Sequence, residues 1–164
     1  GFRMPLPPTE RIWPTPTGKA MFSVFHGVHE NVHVAGEEVL RLVTLRSHDQ
    51  YNTTIYAMDD RYRGIFGRRD VLFMNEQDMA SQGFEHGDRV DITTALPDSD
   101  LRLEDITLVA YNIAPGTVGA YYPEANVLVP LDYIDEESGT PSYKSVPIRL
   151  TLRSKEIRPV SGLR

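Results

Sequence analysis

Nearly every side chain between residues 46 and 54 can donate or accept a hydrogen bond: Arg46, Ser47, His48, Asp49, Gln50, Asn52, Thr53 and Thr54, with Tyr51 among them. Amides offer donors and acceptors together and hydroxyls add orientation, so such a set reads a flat heterocycle with a mixed edge better than it holds a bare ion. Asn126, far along the chain, is of the same kind. His48 beside Asp49 has the composition of a base and its orienter, but neighbours on an extended chain point to opposite faces. On that ground His48 reads as a polar group satisfied within a loop. Each of the others could singly cap a turn; their clustering points to a ligand.

Two further stretches invite chemistry. His26, His29 and His33 stand three and four places apart, as metal ligands on one helix face would. Gly27, Gly36, Val28, Val32 and Val34 disfavour a helix there, and no HExxH pattern accompanies them, so the segment reads as a polar loop. Residues 58–70, MDDRYRGIFGRRD, place Arg61, Arg63, Arg68 and Arg69 around Gly64 and Gly67. Arginine forks suit phosphates or carboxylates and glycines let a backbone approach closely. A solvated loop of paired acids and arginines fits the same letters. The sequence contains no nucleophile elbow, P-loop or dinucleotide GxGxxG, and no catalytic or metal-ligating residue is assigned.

Composition narrows the classes. The 164 residues suffice for one domain with a proper core, and 40% hydrophobic with 24% charged residues is ordinary globular usage. A formal charge of −6 argues against nucleic acid as a general partner. The absence of cysteine removes disulfides and thiolate ligands. No apolar run approaches the roughly 20 residues of a membrane helix. The chain starts at Gly1 and reads as a fragment, and a cytoplasmic location is expected.

The elements that must position the polar run are mostly strands. Val39, Leu40, Leu42, Val43 and Leu45 predict a strand covered on both faces, delivering residues 46–54 to one edge of a core. Pro5, Pro7, Pro8, Pro14 and Pro16 make residues 1–17 an extended, surface-laid linker, followed by a turn at Gly18 and a short strand over 20–25. Residues 71–74 predict a buried strand, Asn75 a helix cap with Asp78 in the capping-box position, and Gly83 a left-handed stop. Alternation over 90–94 and over 146–152 predicts two half-exposed strands; 106–113 and 118–121 predict two more, with a loop over 96–105. Strands throughout with short helices predict a mainly β, compact barrel rather than a doubly wound sheet.

The runs LRLVTLRSHDQYNTTIY and DDRYRGIFGRRDVLFMNEQDMASQGFEHGDRVDI resemble the C-terminal cofactor-binding domain of molybdopterin oxidoreductases, with the formate dehydrogenase alpha-subunit-like proteins as the nearest branch. Thr17-Gly18-Lys19-Ala20 with Phe22, then Pro115-Gly116, Asn126 and Tyr143-Lys144, match further landmarks, so the resemblance spans about residues 15–152. It implies a double-psi β-barrel with short helices, of the aspartate-decarboxylase-like kind, over residues 18–164. It implies a molybdenum bis(molybdopterin guanine dinucleotide) cofactor in a larger oxidoreductase, with iron–sulfur clusters possible in upstream domains of the same polypeptide. Carried over by position, Thr44, Arg46, His48, Gln50, Asn52, Thr53 and Thr54 would line the pterin side, met by Tyr122, Asn126, Tyr143 and Lys144. The isolated fragment is not expected to turn over. The alternative is a stand-alone double-psi barrel for peptide or protein recognition, which would not require that polar set. A self-processing decarboxylase on the related barrel would need a Gly-Ser pair, and none occurs.

Overall fold

A computed structural model describes residues 1–22, 36, 38–48, 50, 58–122, 124–136 and 138–154. The chain divides into two compact units, residues 1–31 and 32–164. In the first, residues 6–12 form turns bonded from Thr9 and Ile12 N–H to Leu6 and Pro7 carbonyls, and Gly18 takes a left-handed φ of 67°. Residues 20–22 are coil, not the strand expected there.

The second unit is a closed six-stranded barrel. Its elements are β1 (Leu40–Leu45), β2 (Val71–Met74), α1 (Glu76–Ser81), β3 (Arg89–Thr94), β4 (Arg102–Ala110), β5 (Thr117–Tyr121), a 3₁₀ turn (Glu124–Leu128) and β6 (Val146–Ser154). Around the barrel they run β1-β5-β2-β4-β3-β6. β1 pairs with β5 and β2 with β4 in parallel, and all other pairs are antiparallel. β1 and β2 are therefore two antiparallel arms with β5 between them, while β4 and β5 are arms with β2 between them. The centre of each motif is an arm of the other, which makes the barrel a double psi. β1, β3 and β5 all finish at the end of the barrel where β2 and β6 begin.

The barrel interior is closed by Leu40, Leu42, Leu72, Met74, Val90, Ile92, Leu108, Val118, Val146 and Ile148, all buried. Because side chains alternate along a strand, Val71, Phe73, Val109 and Tyr121 point the other way and form a second cluster with Ile65. The segment 58–70 thus roofs the outer face of β2, β4 and β5. It folds back on itself through an Asp60–Ile65 bridge, with Gly64 and Gly67 at φ 71° and 66°. Those glycines take the left-handed conformation that tight turns require.

Several local expectations need adjusting. β1 alternates buried and half-buried positions, so it is covered on one face more than the other. Asn75 does cap α1, accepting from Gln77 N–H at 2.8 Å, but Asp78 accepts from Gly116 N–H at 2.7 Å instead of closing a capping box. Gly83 has the left-handed φ of 75°, and Phe84 N–H bonds the Met79 carbonyl at 2.8 Å. β4 begins at Arg102, inside the expected loop, because Asp105 at φ 61° and a register shift against β3 let the strand continue. Residues 111–113 lie outside it. β6 runs past the barrel core, leaving Leu152 37% exposed despite its alternating pattern.

Candidate functional site at the barrel end

Exit of β1 and entry to β6 are sewn together. Thr44 N–H bonds the Tyr143 carbonyl at 3.2 Å, and Lys144 Nζ donates to the Thr44 carbonyl and to its Oγ1 at 3.3 Å. Beside them β5 hands over to Tyr122, whose N–H bonds the Leu45 carbonyl at 2.7 Å. The Tyr122 and Tyr143 rings lie 6.5 Å apart. Parallel pairing of β1 with β5 is what brings residues 45 and 121 level, so residues nearly 80 apart in sequence share one edge.

A buried carboxylate holds the next stretch. Asp60, 1% exposed, receives Arg63 Nη1, His48 Nδ1 at 3.0 Å and the Tyr121 hydroxyl at 2.9 Å. Arg63 also donates to the Arg46 carbonyl at 3.0 Å. Burial by itself would push the Asp60 carboxyl up, but hydrogen bonds from Arg63, His48 and Tyr121 outweigh it and hold the group below the usual carboxylate range. Burial, with the neighbouring Asp60 carboxylate, pushes the Tyr121 phenol up. Asp70, bonded by Arg68 and Arg89, is likewise held low against the effect of burial. Carboxylates whose pKa is lowered by folding stabilise the protein above their unfolded pKa and cease to do so as pH falls through the folded value. Stability is therefore expected to decline below about pH 4, less steeply in Asp60→Asn, as measured by urea unfolding at a series of pH values.

Arg69 is a second tie. Its buried guanidinium donates to Glu124 Oε1 at 2.8 Å and the Tyr122 carbonyl at 3.0 Å, and it reaches Ser47 Oγ at 3.5 Å, lying 4.6 Å over the Tyr121 ring. It links the exits of β1 and β5 to the 3₁₀ turn that carries Asn126. Arg68, by contrast, pairs with Asp70, and Arg61 lies over Tyr62. The arginines of residues 58–70 thus divide between internal struts and surface partners: Arg63–Asp60 and Arg68–Asp70 are the acid–arginine pairs of the second reading, but the burial of Asp60 and Arg69 goes beyond a solvated loop.

Of the residues singled out from sequence, Thr44, Arg46, His48, Gln50, Tyr122, Asn126, Tyr143 and Lys144 all lie at this one end. Thr44 is buried and bonded to Lys144, so it supports the edge from beneath. Arg46 and His48 are exposed, and Gln50 is half-buried with its N–H on the Ser47 carbonyl at 3.0 Å. Asn126 is exposed and lines a neighbouring cleft of about 790 Å³ with Leu96, Val127, Leu131 and Tyr133. Asn52, Thr53 and Thr54 lie outside the described residues, as do His26, His29 and His33. Among the described residues no cluster of His, Cys, Asp or Glu could hold a metal ion. The sequence does not show that Asp60 and Arg69 are buried, because a charge inside a polar loop looks solvated until the fold covers it.

Two properties of this end bear on what it can bind. Burial, and then the positive charge of Arg46, pulls the Lys144 ammonium below its ordinary value, so the two cations feel one another. Among the described residues, buried polar side-chain atoms without a partner are Gln50 Oε1, Glu124 Oε2, Ser145 Oγ and Arg41 Nε. The first three gather here, and unsatisfied buried groups concentrate where a ligand or water is meant to complete them. A rigid double-psi barrel with polar, cation-bearing loops collected at one end is a cofactor-binding module.

The chain belongs to the molydopterin dinucleotide binding domain family, whose profile it matches over residues 40–147. Protein YdeP of Escherichia coli is 43% identical over 153 residues, covering 92% of this chain. An uncharacterized oxidoreductase of Mycobacterium tuberculosis is 46% identical over 156 residues, again covering 92% of the chain. The chain spans about 20% of the length of these relatives. Acetylene hydratase from Pelobacter acetylenicus shares the fold, with a TM-score of 0.52 at 16% identity, covering 70% of this chain and 18% of that one. Among the described residues no helix is long and apolar enough to cross a membrane.

Proposed function

We propose that this domain closes over one face of a bis(molybdopterin guanine dinucleotide) cofactor in a larger, formate dehydrogenase-like molybdenum oxidoreductase. The observation that carries the reading is the convergence of Arg46, His48, Gln50, Tyr122, Asn126, Tyr143 and Lys144 on one barrel end holding three unsatisfied buried polar atoms. The donor set fits the group. Arg46 and Lys144 suit the anionic dinucleotide linkage, and the amides of Gln50, Asn52 and Asn126 suit heterocycle edges that both donate and accept. When bound, the molybdenum centre supplies two-electron redox chemistry. The chain's own part is to bind, orient and shield, using residues held in place by Thr44, Asp60, Arg63 and Arg69. Residues 1–17 serve as a proline-rich linker or arm, and the cytoplasm is the expected compartment.

The polar run from Gln50 to Thr54 with Asn126 and Lys144, which a stand-alone recognition barrel would not require, favours this reading, as do the oxidoreductase relatives. Asn52→Ala with Thr53→Ala in the whole polypeptide is expected to lower retained molybdenum and pterin at least several-fold, read by metal analysis and by fluorescence of the oxidised pterin. Circular dichroism should stay unchanged. Full cofactor content in the double variant would rule out this assignment of the binding edge.

A further inference from the structure

The Asp60 carboxylate settles which nitrogen of His48 carries the proton. A buried, ionised carboxylate can only accept, and it faces His48 Nδ1 at 3.0 Å. Arg63 Nη1 also lies 3.3 Å from Nδ1 and could in principle donate to it, leaving Nδ1 bare. That nitrogen has two hydrogens, however, and both are directed elsewhere, to Asp60 Oδ2 and to the Arg46 carbonyl at 3.0 Å. Nδ1–H donating to Asp60 is therefore the arrangement that satisfies every group. The ring is further steadied by Tyr62, with centroids 4.8 Å apart, while the side chain stays 44% exposed. A ring so held offers its other nitrogen outward.

We infer that Asp60 is a positioning residue that fixes His48 as the Nδ1–H tautomer, so that Nε2 meets the bound cofactor as a hydrogen-bond acceptor. The inference rests on the proposed function and deepens it. Arg46 and Lys144 bring only donors to this edge, whereas a pterin also presents ring N–H and amino groups that need acceptors. The orienter lies twelve residues from His48, in the roofing segment. His tautomers fixed by a hydrogen bond at the opposite nitrogen are a general device for committing an imidazole to one role.

The test uses the whole polypeptide labelled with ¹⁵N-histidine, with His48 assigned by loss of its signal in His48→Ala. Wild type is expected to show the Nδ1–H tautomer for His48. Finding Nε2–H instead would overturn the inference, whatever any variant does. Cofactor retention is then measured in H48A, D60N and the double variant. Each single change is expected to lower it about three- to tenfold, and D60N to add little in the H48A background, because Asp60 acts through His48. Additive losses would mean that Asp60 merely holds the loop, and full retention in H48A would mean that Nε2 has no ligand; either result overturns the inference alone. Wild-type protein carrying no pterin at all would overturn the proposed function and this inference with it.

Discussion

Phe73→Ala is expected to destabilise the domain by about 3–5 kcal/mol, the range for emptying a fully buried aromatic site. Phe73 has no solvent exposure and stands between Tyr121, edge-on at 5.6 Å, and Tyr111 at 5.0 Å. Arg63 lies over the same ring at 5.9 Å. The cavity would therefore open under the roofing segment rather than inside the barrel, whose own core is made by the opposite faces of the same strands. That location predicts a second effect. With the roof loosened, Asp60 and Arg63 lose the frame that holds Arg46 and His48, so cofactor retention should fall more than in Leu108→Ala, a change inside the barrel. Denaturant unfolding with parallel pterin quantitation checks both.

The second large effect is expected from Arg69→Ala, at about 3 kcal/mol or more. Removing a buried guanidinium leaves the Glu124 carboxylate, the Tyr122 carbonyl and Ser47 without their shared donor. Arg69→Lys should recover only part, since a single ammonium cannot reproduce the planar fork. Glu124→Gln should cost clearly less, because Glu124 is one-third exposed and the amide still accepts from Arg69. Thermal unfolding of the three variants gives the order. If Arg69→Ala and Glu124→Gln cost the same, the pair is an ordinary surface bridge, not a strut.

Sequence pattern was most informative where local physics decides. The 71–74 run is apolar at every position because it is buried on both faces, inside against Leu42 and outside beneath Ile65. Asn75 and Gly83 bracket α1 because a short helix must satisfy its ends locally. Asn126 and the polar run after β1 are legible as ligand-binding types, whereas Tyr143, Lys144 and the meeting of all of them are legible through the resemblance alone. That meeting follows from the parallel pairing of β1 with β5 and the antiparallel pairing of β1 with β6, which no spacing encodes.

The burial of charges is what the sequence does not declare. Asp60, Arg63 and Arg69 carry the letters of a surface loop, and only the outer cluster of Ile65, Phe73 and Tyr121 beneath them turns them into buried ties. Asp78 was read as a local cap and is a long-range one, reaching Gly116. Leu150 and Leu152 alternate well enough for a core strand, but only Leu150 packs against the core; Leu152 is left exposed.

The most direct measurement of the central claim is an experimental density map of the whole polypeptide with its cofactor bound. The account predicts pterin or dinucleotide density within hydrogen-bonding distance of Gln50, Asn126 and Lys144, with His48 Nε2 facing a donor. Density at the opposite end of the barrel, beside Arg41 and Thr117 where β1 and β5 begin, would contradict it.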